Sequence, residues 1–262
     1  MANYSALDHP EILSFLFHPR PDTGFSGNDS NFQDFLINVE DNVSVHARLY
    51  PADLNAPTIL FFHGNGEIVA DYEDMAPLYT KMGINFFPAD YRGYGRSTGM
   101  PTVTAMMEDA HKVFAFVKNT LTKNGYAGPV IIMGRSLGSA PALELASNYQ
   151  DDISALVIES GFAYALPLLR LLGINVDSLG ISEENGLRNI DRVKNFEKPA
   201  LFIHAEFDHI IPFTDALALY HACPADDKTL LKIPEANHNT IFSFGMNDYM
   251  NAVKEICFKT GD

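Results

Sequence analysis

Apolar residues along this chain gather in short unbroken runs: TILFFH (58–63), INFFPA (84–89), VIIMG (130–134), SALVIE (154–159), ALFIHA (200–205) and TLLKI (229–233). Half-exposed strands alternate polar and apolar positions, so unbroken runs of this length predict strands covered on both faces, as in a parallel sheet. Two earlier β-prone runs, FQDFLINVE (32–40) and VSVHARLY (43–50), are separated by a short Asp-Asn turn and predict an antiparallel hairpin. Between the runs, apolar positions recur at helical spacing and predict helices over about 67–82, 104–123, 137–149, 212–222 and 240–258. Ala110, Val113, Phe114 and Val117 share one face of the second, and Gly83 offers a left-handed stop for the first. Strand candidates mostly followed by helices predict the α/β class: an eight-stranded, mostly parallel, doubly wound sheet with helices on both faces.

One stretch breaks this rhythm. Residues 161–198 separate two consecutive strand candidates and contain ALPLLRLLGINV, an apolar and helix-compatible piece. A lid over a substrate pocket is the functional expectation for about 161–198, against a plain packing insertion. No repeat, low-complexity tract or linker divides the remainder, so a single domain over 1–262 is expected. A chain of 262 residues, 47% hydrophobic, is long enough to bury a large core.

Charge narrows the partners. Eighteen Lys and Arg against 33 Asp and Glu give a formal charge of -15, which repels phosphate backbones and anionic membrane surfaces. Nucleic acid is therefore not an expected partner, and anionic substrates would need a local basic patch, for which Arg92, Arg96 and Arg135 are the candidates. The two cysteines, Cys223 and Cys257, have no metal-ligand spacing and are expected to be reduced and structural. The start, MANYSALDHPEILSFLF, has no basic n-region, and its apolar run is too short for a signal peptide or membrane span. A cytoplasmic location without a stable membrane anchor is the resulting expectation; oligomeric state is not legible.

The chemistry turns on two matches to G-x-S-x-G, one around Ser97 (GRSTG) and one around Ser136 (GRSLG). Such a serine must sit on a sharp strand-to-helix turn that exposes its hydroxyl at the carboxyl edge of the sheet. Ser136 follows the strand run PVIIM and precedes LGSAPALELASNY, rich in small residues and helix formers. Ser97 instead sits between ADYRGYGR and TGMPTVT, an extended loop in which Pro101 delays the next helix, so a structural role within the loop is expected for it. A serine hydroxyl needs a base, and the base needs a carboxylate to orient it. His238, in IPEANHNTIF directly after the last strand, is the candidate base; His46, His111 and His204 fall within the hairpin, a helix and a strand. Asp208, in ALFIHAEFDHIIP, is the candidate acid, with Glu159 at the end of SALVIE as its rival. Backbone amides of Leu137 and of Asn65, in the glycine-rich turn of TILFFHGNGE, are the candidate oxyanion donors.

In these motifs, FFHGNGE, PADYRGYGRSTG, IIMGRSLGSAPALELA, FIHAEFDHIIP and EANHNTIF, spread over about residues 58–242, the chain resembles the α/β-hydrolase superfamily. Within it, the likeness is to compact intracellular serine hydrolases of the depalmitoylase-like and monoacylglycerol-lipase-like branch. The resemblance implies the α/β-hydrolase fold and hydrolysis of a carboxylic ester or thioester by Ser136, Asp208 and His238, with no metal or organic cofactor. Membrane-bound or palmitoylated members carry N-terminal anchors or cysteine clusters, and neither is seen in this sequence, which puts a lipid-modified protein substrate in doubt. Two competing expectations remain: an amidase or peptidase on the same triad, and a binding module that kept the fold without catalysis.

Overall fold

The computed structural model describes residues 3–24 and 31–259. Its eight strands are β1 (Gln33–Glu40), β2 (Val43–Leu49), β3 (Thr58–Phe62), β4 (Asn85–Ala89), β5 (Val130–Arg135), β6 (Ala155–Glu159), β7 (Ala200–Ala205) and β8 (Lys228–Ile233). They form one sheet in the order β1-β2-β4-β3-β5-β6-β7-β8. The predicted hairpin is present: β1 and β2 run antiparallel, joined through Asn42 at φ +63°. From β4 across to β8 all neighbours are parallel, and β3, β4, β6 and β7 are buried at every position, as unbroken apolar runs require.

Strand pleating divides these runs between two cores. Leu60, Phe62, Ile132, Leu156, Ile158 and Phe202 point into one core, together with residues of α3 (Val103–Lys123), α4 (Ser139–Asn148) and α7 (Phe213–Ala222). Ile59, Phe61, Met133, Val157 and Ile203 point the other way, onto α2 (Ala76–Lys81) and α8 (Ile241–Phe258). Helices therefore cover both faces, and loops that leave the carboxyl ends of the parallel strands converge on one rim.

Two local outcomes differ from the sequence expectation. The helix expected over 67–82 is split into a 3-10 turn, Val69–Tyr72, and α2. Pro77 near the start of α2 has no N–H to bond to the preceding turn, and the Val69 amide is instead committed to Asp90 Oδ1 at 2.9 Å. A short helix that the periodicity did not predict, α1 (Pro10–Leu16), packs Ile12 and Leu16 into the first core.

The N-terminal segment is tied down by a buried polar cluster. Glu144 of α4 accepts hydrogen bonds from the Tyr4 hydroxyl (2.8 Å) and the Arg192 guanidinium, and its other oxygen meets His111 at 3.1 Å. Burial alone would raise the Glu144 carboxyl, but His111, Arg192 and Tyr4 outweigh it and bring it down from 4.5 to about 2. A depressed carboxylate stabilises the fold above its unfolded value, and that contribution disappears as pH falls toward the folded one. Thermal unfolding midpoints should therefore fall between pH 4.5 and about 2, and Glu144→Gln should be less stable at neutral pH but flatter across this window. Parallel curves for the two proteins would refute the assignment.

Candidate active site

Strand β5 ends at Arg135, α4 begins at Ser139, and a single tight turn, Ser136–Gly138, joins them. Ser136 holds φ at +51°, a left-handed conformation that is strained for any residue with a Cβ and that lifts the hydroxyl off the strand end. The flanking glycines are required by sterics. A Cβ on Gly134 would stand 2.2 Å from the Gly138 carbonyl oxygen, and one on Gly138 would stand 2.1 Å from that of Phe62. Turn, helix and the end of β3 thus meet backbone to backbone.

The three distant side chains expected to act together do meet. His238 Nε2 lies 3.0 Å from Ser136 Oγ, and His238 Nδ1 lies 2.7 Å from Asp208 Oδ2. With Nδ1–H donating to the carboxylate, the Nε2 lone pair is left to accept from the serine hydroxyl. Asp208 Oδ1 accepts the amides of Ile210 (3.0 Å) and Ile211 (2.9 Å), so Oδ2 alone faces the imidazole. Burial would push the Asp208 carboxyl up, but His238 and these two amides prevail and hold it below its ordinary value. The loop carrying His238 is pinned in turn: Thr240 Oγ1 accepts from the Asn237 amide at 2.9 Å, and Asn237 Oδ1 from the Asn239 amide at 3.0 Å.

Glu159, the rival acid, is engaged elsewhere. It accepts a 2.7 Å hydrogen bond from the Tyr249 hydroxyl and pairs with Arg135 at 3.1 Å, and burial raises its carboxyl. Ser97 has a structural contact, though not within its own loop as expected: its Oγ accepts the His46 amide of β2 at 2.9 Å.

Leu137 occupies the turn leading into α4, where amides have no carbonyl one helical turn earlier to bond to. Asn65 follows β3, the sheet neighbour of β5, and the two edges touch at Phe62 and Gly138. The loop holding Asn65 is tied by hydrogen bonds: His63 is buried between Gly64 O and Asp90, and the Tyr91 hydroxyl donates to His63 O at 2.7 Å. Asn65 Oδ1 accepts from the His18 amide (2.9 Å) and the Tyr94 hydroxyl (2.7 Å), while its Nδ2 donates to His18 Nδ1 at 2.8 Å.

Some neighbours of the site escaped the sequence. His18 lies 47 positions before Asn65, and no local pattern marks it. His204, expected to be inert within its strand, donates from Nε2 to Ile211 O at 2.8 Å and stands 3.5 Å from Asp208 Oδ2; burial keeps its imidazole below the usual value, so it locks the acid loop as a neutral ring. The basic patch, by contrast, is not formed. Arg92 pairs with Asp109 and Glu40, Arg96 with Asp34, and Arg135 with Glu67 and Glu159.

A protein-family model described as "Hydrolase_4: Serine aminopeptidase, S33" matches residues 55–174. Human alpha/beta hydrolase domain-containing protein 17B is 31% identical over 208 residues, which cover 76% of this chain and 65% of that protein. Protein bem46 of Schizosaccharomyces pombe is 29% identical over 192 residues, 70% of this chain and 62% of bem46, so the match covers less than two thirds of either relative. Among solved structures, Est1E from Butyrivibrio proteoclasticus, with ferulic acid bound, superposes with a TM-score of 0.72 at 21% identity over 86% of this chain and 98% of that one. The chain has the α/β-hydrolase fold and is similar in sequence to proteins of that superfamily.

In this fold the stretch between β6 and β7 carries α5 (Ala165–Leu171) and α6 (Asn189–Val193). Carboxylates hold α5 in place: Glu183 accepts the amides of Ala165 and Leu166, and Asp215 accepts that of Ala163 at 2.7 Å. Between α5 and the acid loop lies a cleft of about 280 Å³, lined by Phe162, Tyr164, Leu168, Leu171, Ile210 and Ile211 among others, with Asp208 at its wall. Among the described residues no helix is long and apolar enough to cross a membrane.

Proposed function

We propose that this protein is a serine hydrolase that cleaves carboxylic esters or thioesters through an acyl-enzyme on Ser136. The observation that carries this is the continuous Ser136–His238–Asp208 chain at 3.0 and 2.7 Å, built on a serine held at φ +51°. His238 takes the Ser136 proton as Oγ attacks the carbonyl carbon, and the carbonyl electron pair moves onto its oxygen. Amides of Leu137 and Asn65 receive that oxyanion. Collapse breaks the bond to the leaving alcohol or thiol, which departs with the proton from His238. Water then repeats the sequence, activated by the same imidazole, and frees the acid and Ser136.

The cleft beside Asp208 supports an apolar acyl group of medium length. At about 30 Å³ per water-sized group, 280 Å³ holds a chain of octanoyl size. In this reading the α5 stretch of the insertion is the lid that covers it. Ferulic acid in Est1E, an aromatic acid in a related fold, fits an esterase reading; the aminopeptidase description of the matched family favours an amidase as the second reading.

Labelling by a fluorophosphonate probe and turnover of p-nitrophenyl esters from acetate to palmitate, beside alanine p-nitroanilide, test both. The expected result is labelling, with kcat/KM highest near octanoate and little anilide cleavage. Leu168→Trp, which fills the cleft, should move the optimum to shorter chains and lower kcat/KM for octanoate on the order of tenfold, a methylene in such a pocket being worth about 1–3 kcal/mol. An optimum unmoved by Leu168→Trp would place the acyl chain elsewhere; faster anilide cleavage would select the amidase.

A further inference from the structure

The residue immediately before the nucleophile carries a side chain that reaches three other elements. Arg135 is largely buried, its side chain 13% exposed. Its Nη2 donates to the backbone carbonyl of His238 at 3.0 Å and lies 3.4 Å from Asn239 Oδ1. Nη1 faces Glu67 Oε1 at 3.2 Å, and Nε faces Glu159 Oε1 at 3.1 Å. Both carboxylates are themselves fixed: Glu67 Oε2 accepts the Gly64 amide (2.7 Å) and the Tyr72 hydroxyl (2.6 Å), and Glu159 Oε2 accepts the Tyr249 hydroxyl (2.7 Å). A planar guanidinium meets these four acceptors from three separate nitrogens in a fixed fork, a span that the single nitrogen of an ammonium does not have.

The backbone of residue 135 continues into Ser136, while its side chain grips the carbonyl of the residue whose imidazole must take the Ser136 proton. Both ends of the reacting hydrogen bond are thereby referred to one rigid group. Charge compensation alone would place a cation between Glu67 and Glu159 but would not require contact with the His238 carbonyl.

We propose that Arg135 is a positioning residue, which sets the His238 imidazole against Ser136 with Glu67 and Glu159 as the anchors that aim its fork. This inference rests on the Ser136–His238–Asp208 chemistry proposed above.

The test measures p-nitrophenyl octanoate kinetics and thermal midpoints for the wild type, Arg135→Lys and Arg135→Met, and for Arg135→Met on a His238→Ala background. Arg135→Lys keeps the cation that the two carboxylates need, so its midpoint should stay near wild type while kcat falls on the order of tenfold or more with KM within about twofold, a misplaced reacting group costing up to about a hundredfold. Arg135→Met should lose at least as much kcat. On the His238→Ala background, where there is no imidazole to position, Arg135→Met should change the residual rate by no more than about twofold. Wild-type kcat in Arg135→Lys overturns the inference, as does a full additional loss in the double variant. If Arg135→Met does not fold, Arg135→Lys alone decides. Failure of the wild-type protein to take the fluorophosphonate label would instead remove the serine chemistry itself, so the two failures are distinguishable.

Discussion

Ser136→Ala is expected to lower p-nitrophenyl octanoate turnover by about 10⁶-fold and to abolish fluorophosphonate labelling, while the thermal midpoint should stay close to that of the parent protein. The size follows from the geometry. The Oγ sits 3.0 Å from His238 Nε2, so in the proposed mechanism its removal deletes both the attacking atom and the proton that the imidazole takes, leaving only the proposed oxyanion amides of Leu137 and Asn65. Stability is spared because alanine keeps the Cβ and meets the same strain at φ +51°. Ser97→Ala is the opposite case: the rate persists, but the His46 amide, 2.9 Å from Ser97 Oγ, loses its acceptor at a cost of about 1–3 kcal/mol. A Ser136→Ala protein that still labels, or a Ser97→Ala protein that does not, would reverse the choice between the two motifs.

The local structure behind that choice was legible because each motif carries its own mechanical context. PVIIM before Ser136 reads as a buried strand and LGSAPALELA after it as a helix, and the sharp turn between them follows from their junction. The order of strands along the chain was likewise legible, since parallel strands covered on both faces lose the polar alternation that would confuse them with loops. Long-range polar pairing was not. Tyr4 and Glu144 are 140 positions apart, and Arg92 finds Asp109 and Glu40 only through the fold, so the basic patch read from sequence dissolves into separate ion pairs. Local competition also hides: the stretch at 67–82 has helical spacing, but Asp90 takes the Val69 amide and Pro77 cannot continue a helix backwards. The site itself falls between these cases. Its three side chains follow from the rule that loops at the carboxyl edge converge, whereas the contacts around them, His204 beside Asp208, Arg135 on the His238 carbonyl and His18 on Asn65, join distant positions that no short window of sequence records.

The second large effect is expected at Asp208. In Asp208→Asn the new carboxamide is nearly isosteric with the carboxylate, so its carbonyl oxygen can keep the amides of Ile210 and Ile211 while its NH₂ turns toward His238. That NH₂ can only donate. The imidazole must then present a lone pair at Nδ1 and carry its proton on Nε2, where it cannot accept from Ser136. A loss of about 10⁴ in kcat follows from the wrong tautomer alone, with the fold intact. Because Asp208 is held below its ordinary value of 3.8, it is ionised throughout the working range. The same depressed carboxylate stabilises the folded state above pH 3.8 and loses that effect as pH falls further, a dependence that Asp208→Asn removes. Glu159→Gln, at the carboxylate bonded to Tyr249 and Arg135 instead of to the imidazole, should cost orders of magnitude less. Were Glu159→Gln inactive and Asp208→Asn active, the orienting role would pass to β6, and the 2.7 Å contact between Asp208 and His238 would be packing without chemistry.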